Sequence, residues 1–192
     1  MTDPVLNELG AETVYWKTGH SYMKRHTVET GAMAGFEKSG HFFFNAPIGR
    51  GYDDGLVTAI TVCEMLEQNP GKSMADLNDS LPQSWGSPTM SPYCADTEKY
   101  EVVDRAIAHF QKCADDGKKV ARQSIRDLVT VNGIRITVED GTWGLVRAYS
   151  NKPGLVVVVE SPVSEDRMRD MFAEIDNLLS SWSEVGEYDQ KL

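Results

Sequence analysis

The chain has 192 residues, of which 41% are apolar and 25% charged, and its formal net charge is -10 at pH 7. This length allows one large domain or two small ones of ordinary globular composition. The negative charge excludes a general nucleic-acid binder, because a polyanion would be repelled, but a few local basic side chains can still hold one phosphate. No apolar run reaches the roughly 20 residues that would span a bilayer, so we expect no membrane association.

The cysteines and the N-terminus indicate a cellular compartment. Cys63, Cys94 and Cys113 are spaced too widely for a zinc motif. A sparse, odd cysteine count favours a reducing environment over a disulfide framework. The first residues also lack the basic and apolar regions of a signal peptide. We therefore expect a cytoplasmic protein.

The first third of the chain has the mixed pattern of an α/β layer. Short β-prone runs at 12–16, 31–36 and 42–44 accompany a polar stretch with helical spacing at 21–30. Asp53-Asp54-Gly55 then begins a helix. The apolar residues of that helix recur at the helical period and are Leu56, Ala59, Ile60, Cys63 and Leu66. These strands are too few for a complete parallel sheet.

Residues 69–92 are rich in Pro, Gly, Ser and Asn, with one helical turn near 74–77, which predicts a linker over residues 71–87. We therefore expect a partial α/β domain over residues 1–70 and a second domain over residues 88–192.

The second domain is predicted to be an antiparallel sheet with two helices on one face. A strand around 89–95 leads into a helix from 98 to about 114. The predicted buried stripe of this helix is Tyr100, Val103, Ile107 and Phe110. Asn132-Gly133 between β-prone runs is a strong hairpin signal and predicts strands at 127–130 and 134–138.

A second strand pair is predicted at 144–148 and 155–160. The unbroken apolar run Val156 to Val159 predicts burial on both faces. Ser164 is a good N-cap for the last helix. The apolar stripe of that helix is Met168, Met171, Phe172, Ile175, Leu178, Leu179 and Trp182. We expect the acidic tail after Ser183 to fray.

Two polar loops carry the residues best suited to chemistry. In Glu37-Lys38-Ser39-Gly40-His41, a carboxylate, a hydroxyl and an imidazole can hydrogen-bond several sugar hydroxyls. In the loop from Arg147 to Pro153, an arginine can hold a phosphate through two parallel bonds, and a turn can direct backbone N–H groups at an anion. Composition alone also allows an ordinary polar turn at the first loop and a solvated hairpin at the second.

The histidines and the Asp53-Asp54 pair could serve function or structure. His20 and His41 are candidate bases or ligands, but a loop histidine is more often a plain hydrogen-bonding residue. His26 and His109 have the spacing of helix-surface residues. The Asp53-Asp54 pair could bind a metal or, more commonly, cap the helix that follows.

The run Trp16-Lys17-Thr18-Gly19-His20-Ser21, followed by Glu37-Lys38-Ser39-Gly40-His41, resembles the third domain of the α-D-phosphohexomutases. The bacterial phosphomannomutase/phosphoglucomutase branch is most similar. The step from Asp53-Asp54-Gly55 into a helix also matches, and residues 141–162 are similar to the fourth domain, where the family places a phosphate-binding loop that opens with Arg and closes with Pro. One departure is Tyr149, which stands where many members have Ser.

The resemblance implies a role for each loop. Glu37 and Ser39 would bind the sugar hydroxyls, with Lys17 as a weaker candidate. His20 and His41 would line the active site, one of them assisting proton transfer. The distal phosphate of a glucose or mannose phosphate would be held by the second loop, whose candidates are Arg147, Tyr149, Ser150, Asn151 and Lys152.

The family transfers its phosphoryl group through a phosphoserine in a Thr-Ala-Ser-His-Asn-Pro loop and holds Mg²⁺ in an Asp-Gly-Asp loop. Neither motif occurs in these residues. The resemblance therefore implies that this chain holds no cofactor itself, that it begins within the third domain, and that N-terminal domains of the same enzyme are its partners. An alternative is a stand-alone, non-catalytic phosphosugar-binding module, and a partial sheet could also self-associate through its exposed edge.

Overall fold

The computed structural model describes residues 2–192, which divide into two compact units. The small unit is Val14–Pro82, and the large unit joins Gln83–Leu192 with the chain up to Thr13, which contains α1 (Thr2–Glu8). Residues 71–87, predicted as a linker, contain a helix before Pro82 and a short strand after it. The domain limits read from composition stay a prediction. No helix within residues 2–192 is long and apolar enough to cross a membrane.

The small unit is built around one β-hairpin. Its elements are α2 (His20–Thr30), β1 (Ala34–Phe36), β2 (Phe42–Phe44), α3 (Gly55–Glu67) and α4 (Met74–Asp79). β1 and β2 pair antiparallel with Gly35 opposite Phe43, which is completely buried. Helix α2 packs directly against Gly35, where an added Cβ would lie 2.6 Å from Thr27 Oγ1. Only glycine allows this close approach of helix and strand.

Several features of the small unit differ from the sequence-based expectation. Residues 12–16 form no strand, because a β-prone run needs a partner and none pairs with it in the described chain. The predicted strand at 31–36 is shorter, since Gly31 adopts the left-handed conformation that ends α2. The apolar side of α3 lies largely in solvent, with Leu56 and Ile60 72% and 52% exposed.

A five-stranded antiparallel sheet forms the centre of the large unit. Its strands are β3 (Trp85–Gly86), β4 (Ile125–Val129), β5 (Ile134–Val138), β6 (Trp143–Ala148) and β7 (Leu155–Ser161). Their order across the sheet is β3-β7-β6-β5-β4. The predicted hairpin at Asn132-Gly133 joins β4 and β5. Gly133 has φ +82°, and a Cβ there would meet the carbonyl oxygen of Val146 at 2.2 Å, so glycine is required twice over.

Helices α5 (Lys99–Asp115) and α6 (Glu165–Ser180) pack on one face of this sheet, as predicted. Ser164 caps α6 by accepting a hydrogen bond from the Arg167 N–H. The two helices and alternate sheet residues share one core, which includes Val102, Ala106, Phe110, Ile134, Ile136, Val146, Met171, Ile175 and Leu179. All of Val156–Val159 is buried, which confirms the reading of that apolar run.

Two predictions for the large unit are wrong: the strand at 89–95 and the burial of Tyr100. Residues 89–95 make only isolated bridges, from Met90 to Val157 and from Pro92 to Tyr188. Pro92, in the middle of this stretch, lacks the N–H that a strand ladder needs. Tyr100 is 60% exposed, because the buried side of α5 runs through Val102 and Val103 instead.

The acidic tail is ordered, contrary to expectation. The Gly186 N–H donates to the Tyr93 carbonyl, and the Tyr93 N–H donates to the Glu187 carbonyl. Further on, the Asp189 carboxylate accepts the Ser91 N–H at 2.7 Å. These bonds fasten the tail along residues 89–95, so each segment supplies the backbone partners that the other would lack alone.

Candidate functional site

The loop between β1 and β2 is a compact turn held by its own backbone. The Glu37 N–H donates to the His41 carbonyl at 3.0 Å, and the Gly40 N–H donates to the Glu37 carbonyl at 2.9 Å. Gly40 has φ +88°, a conformation that favours glycine. Lys38 and Ser39, at the tip, are exposed. The hairpin register therefore fixes where Glu37 and His41 leave the sheet.

Glu37 links this loop to the N-terminus of α2. One carboxylate oxygen accepts the Gly19 N–H at 3.0 Å, and the other faces the Ser39 hydroxyl at 3.4 Å. A carboxylate at a helix N-terminus is stabilised by the helix dipole. The two sequence motifs that carry the resemblance, separate in the chain, thus meet in one hydrogen-bonded group of the small unit.

The histidines of the two sequence motifs, His20 and His41, share the carboxylate of Asp53. His20 Nε2 lies 2.9 Å and His41 Nδ1 lies 2.7 Å from the same oxygen of Asp53, Oδ2. The hydrogen bond from His41 does most to hold the pKa of Asp53 below its usual value; partial burial opposes this, and the bond from His20 adds to it. The two imidazole rings meet edge to face, with centroids 5.0 Å apart. We call these three residues the His-Asp-His cluster.

The adjacent aspartates at 53 and 54 have different tasks. Asp54 caps α3, because its side chain accepts the N–H groups of Leu56 and Val57 at 3.0 and 3.1 Å. Asp53 instead faces the histidines. The pattern of two acids before a helix predicted the cap correctly and gave no sign of the contact to His20 and His41, which comes from the pairing of Phe43 with Asp53.

Lys17 stands apart from these contacts. Its ammonium lies 5.9 Å from the centroid of the Tyr22 ring, on the exposed side of α2. His26 stacks on Trp16 with centroids 3.7 Å apart. Both belong to the small unit, but neither contacts the His-Asp-His cluster through a described hydrogen bond.

The loop from Arg147 to Pro153 closes the hairpin between β6 and β7 in the large unit. The Tyr149 N–H donates to the Gly154 carbonyl at 3.0 Å and fixes its base. The Tyr149 ring lies beside two cations, the Lys152 ammonium at 4.3 Å and the Arg147 guanidinium at 5.8 Å from its centroid. Ser150, Asn151 and Lys152 are exposed. The loop therefore concentrates positive charge and neutral donors at one tip.

A buried lysine supports this loop, and sequence reasoning missed it. Lys99, with 4% of its side chain exposed, donates to the Lys152 carbonyl at 3.2 Å and to the Asp96 carboxylate at 2.6 Å. A buried ammonium is retained only when it is paired and hydrogen-bonded. No local pattern connects the start of α5 to a loop more than 50 residues later, so only the fold reveals the contact.

We expect Lys99→Met to loosen the loop around residues 149–154. The variant removes a hydrogen bond from a charged donor, worth about 1.5–3 kcal/mol where the donor is buried. Amide hydrogen exchange at Tyr149 should accelerate roughly 10- to 150-fold, the factor that corresponds to this free energy. Lys112→Met, on the same helix but 71% exposed, is the matched control and should leave the exchange unchanged. Equal exchange in both variants would show that Lys99 does not hold the loop.

This chain is similar to known proteins of one family. Residues 1–85 match the family model described as phosphoglucomutase/phosphomannomutase, alpha/beta/alpha domain III. The predicted resemblance to the C-terminal part of a phosphohexomutase is therefore confirmed. The chain is 31% identical over 166 residues to a phosphomannomutase/phosphoglucomutase of Pseudomonas syringae pv. tomato, covering 86% of this chain and 33% of that protein.

Other relatives agree. A phosphoglucomutase of Neisseria meningitidis serogroup A is 29% identical over 175 residues, 90% of this chain and 35% of that protein. The crystal structure of a phosphoglucomutase/phosphomannomutase family protein from Burkholderia thailandensis matches with a TM-score of 0.74 and 28% identity, over 92% of this chain and 34% of that chain. The chain thus spans about a third of the length of the relatives it matches.

Proposed function

We propose that the chain is the sugar- and phosphate-binding part of an enzyme that interconverts hexose 1-phosphate and hexose 6-phosphate through a bisphosphorylated sugar. The observation that carries the proposal is the contact of Glu37 with Gly19 and Ser39, which joins the two motifs shared with the phosphohexomutases. The names of the similar proteins from Pseudomonas and Neisseria support the same reaction class.

The loop of the small unit is suited to sugar hydroxyls. Glu37 keeps a carboxylate oxygen near the exposed Ser39 hydroxyl, so acceptor and donor lie together. Both can bond vicinal hydroxyls, since a carboxylate accepts in several directions and a hydroxyl both donates and accepts. His20 and His41, oriented by Asp53, are the groups that could assist proton transfer in this unit. Lys17 remains a weaker sugar-binding candidate.

The loop of the large unit is suited to a phosphate. Arg147 and Lys152 supply charge, Ser150 and Asn151 supply neutral donors, and Lys99 fixes the backbone beneath them. Tyr149 occupies the place of the family's usual serine, and its ring keeps the two cations near one another. Such a loop holds the phosphate that is not reacting, and the remaining demand on the enzyme is positioning and charge neutralisation.

The transfer chemistry is proposed to come from preceding domains of the same enzyme, with their phosphoserine and Mg²⁺. The residues that the structure describes do not fit that Mg²⁺. The candidate ligand group in the described residues is the His-Asp-His cluster, and Mg²⁺ prefers an octahedron of oxygen ligands over imidazole. This chain therefore contributes binding and orientation in the proposal.

The proposed location is the cytoplasm, which the three free cysteines support. Self-association through an exposed edge of the β1–β2 hairpin also stays a proposal. Light scattering of the purified chain tests it, and a mass of one chain, 21.3 kDa, would contradict it.

A direct test of the reaction class uses the complete enzyme that contains this chain. We expect it to isomerise glucose 1-phosphate or mannose 1-phosphate in the presence of Mg²⁺ and the matching bisphosphate. Coupled assays against glucose, mannose and glucosamine phosphates would also rank the sugars, which differ at C2. Failure to isomerise any of the three would contradict the proposal and favour a non-catalytic phosphosugar-binding module.

A further inference from the structure

We propose that His20, His41 and Asp53 form a binding site for Zn²⁺ or a similar borderline divalent cation. His20 Nε2, His41 Nδ1 and an Asp53 carboxylate oxygen all lie within 4.8 Å of one another. Two imidazoles and one carboxylate are a ligand set that Zn²⁺ takes in proteins, with an open fourth position for water. This site is separate in kind from the oxygen-rich Mg²⁺ site of the proposed enzyme.

The spacing needs only a small adjustment to fit the ion. Tetrahedral Zn²⁺ with bonds of about 2.0–2.1 Å places its ligand atoms about 3.3 Å apart. His20 Nε2 and His41 Nδ1 lie 2.9 and 2.7 Å from Asp53 Oδ2, so each of these two contacts must open by about half an ångström. The two nitrogens lie within 4.8 Å of each other and must reach the same spacing. Changes of this size are within the reach of side-chain rotation, because His20 and His41 are 57% and 43% exposed.

The ring protons of His20 and His41 do not prevent metal binding. Both nitrogens face a carboxylate oxygen, which only accepts, so we assign the ring proton of each histidine to the nitrogen at this contact. A neutral histidine can carry its proton on either ring nitrogen, so a change of tautomer frees His20 Nε2 and His41 Nδ1 as ligands without removing a proton from the protein. The two imidazoles then bind the ion as neutral groups and Asp53 binds it as a carboxylate.

The backbone around the cluster holds the ligands in place. His20 is the first residue of α2, and His41 directly precedes β2. Phe43 pairs with Asp53 across an isolated bridge, which fixes the backbone that carries the carboxylate. The His20 ring rests edge-on against Phe43, which is fully buried, with centroids 5.2 Å apart. Secondary contacts of this kind orient the ligands of metal sites.

The test is isothermal titration of ZnCl₂ into the purified chain, free of chelators. We expect one ion per chain, and shifts of the His20 and His41 ring signals in histidine NMR spectra while those of His26 stay in place. His41→Ala and Asp53→Asn should each weaken binding at least about 100-fold, since even groups behind the ligands contribute 10- to 100-fold. Asp53→Asn keeps the helix cap, because Asp54 provides it.

The matched control is His109→Ala. His109 Nε2 lies 3.6 Å from the Cys113 sulfur in the large unit, so this pair is the competing soft donor group. Circular dichroism confirms that each variant is folded. Zn²⁺ affinity retained in His109→Ala and lost in both cluster variants supports the site. Affinity unchanged in folded His41→Ala and Asp53→Asn, affinity lost in His109→Ala, or no binding by the unmodified chain would overturn it.

Discussion

Replacing Arg147 with alanine in the complete enzyme should weaken hexose 1-phosphate binding by about 1.5–3 kcal/mol, the usual value of a hydrogen bond to a charged group. Arg147 stands at the end of β6, where the sheet register aims the loop, and its guanidinium shares the Tyr149 ring with Lys152. Steady-state kinetics with glucose 1-phosphate and mannose 1-phosphate measure the change. We expect a loss of about 10- to 150-fold in kcat/KM.

A matched variant separates the loss of a phosphate contact from the general loss of one positive charge. Arg126→Ala removes one positive charge from an exposed position on β4, outside the loop, and should change kcat/KM less than twofold. If Arg147→Ala leaves both kcat and KM at the level of Arg126→Ala, Arg147 is not a phosphate ligand and the role of the loop must be abandoned.

Glu37→Ala in the complete enzyme is expected to lower kcat/KM roughly 150-fold. This factor corresponds to a loss of about 3 kcal/mol of transition-state stabilisation. The substitution removes the acceptor offered to the sugar and also the bond to the Gly19 N–H, which sets the start of α2 and thereby the position of His20. The effect should exceed that of Ser39→Ala, because Ser39 lies 3.4 Å from Glu37 and orients little else.

Glu29→Ala is the control for Glu37. Glu29 lies near the end of α2 and is exposed, so its loss removes one carboxylate from the same unit without touching the loop. Thermal melts should show both variants folded. A Glu37→Ala enzyme within threefold of Glu29→Ala would mean that the loop does not contact the sugar.

Local patterns predicted the elements whose causes are local. Asn132-Gly133 specified its hairpin because only glycine fits φ +82° against the Val146 carbonyl. Ser164 and the stripe from Met168 to Leu179 specified α6, since a cap and a 3.6-residue period are properties of one segment. The run Val156 to Val159 predicted burial on both faces because an unbroken apolar run is also a property of one segment.

The features that sequence reasoning missed all depend on distant partners. Residues 12–16 are β-prone but pair with no strand in the described chain, and the tail after Ser183 is ordered because residues 89–95 supply its backbone bonds. Asp53 and Lys99 each make their decisive contacts across the fold, to His20 and His41 in one case and to Lys152 in the other. The resemblance to a family identified the two loops from the sequence. The residues that support them, Asp53 and Lys99, are identified only by their contacts in the fold.

The central claim is that this chain carries the binding loops of a phosphohexomutase and not the groups that transfer the phosphoryl. Its most direct test is a mutase assay of the purified chain with glucose 1-phosphate, glucose 1,6-bisphosphate and Mg²⁺. The account predicts no turnover above the blank. Turnover that copurifies with the chain and falls in a parallel preparation of Arg147→Ala, which excludes a contaminating full-length enzyme, would contradict it.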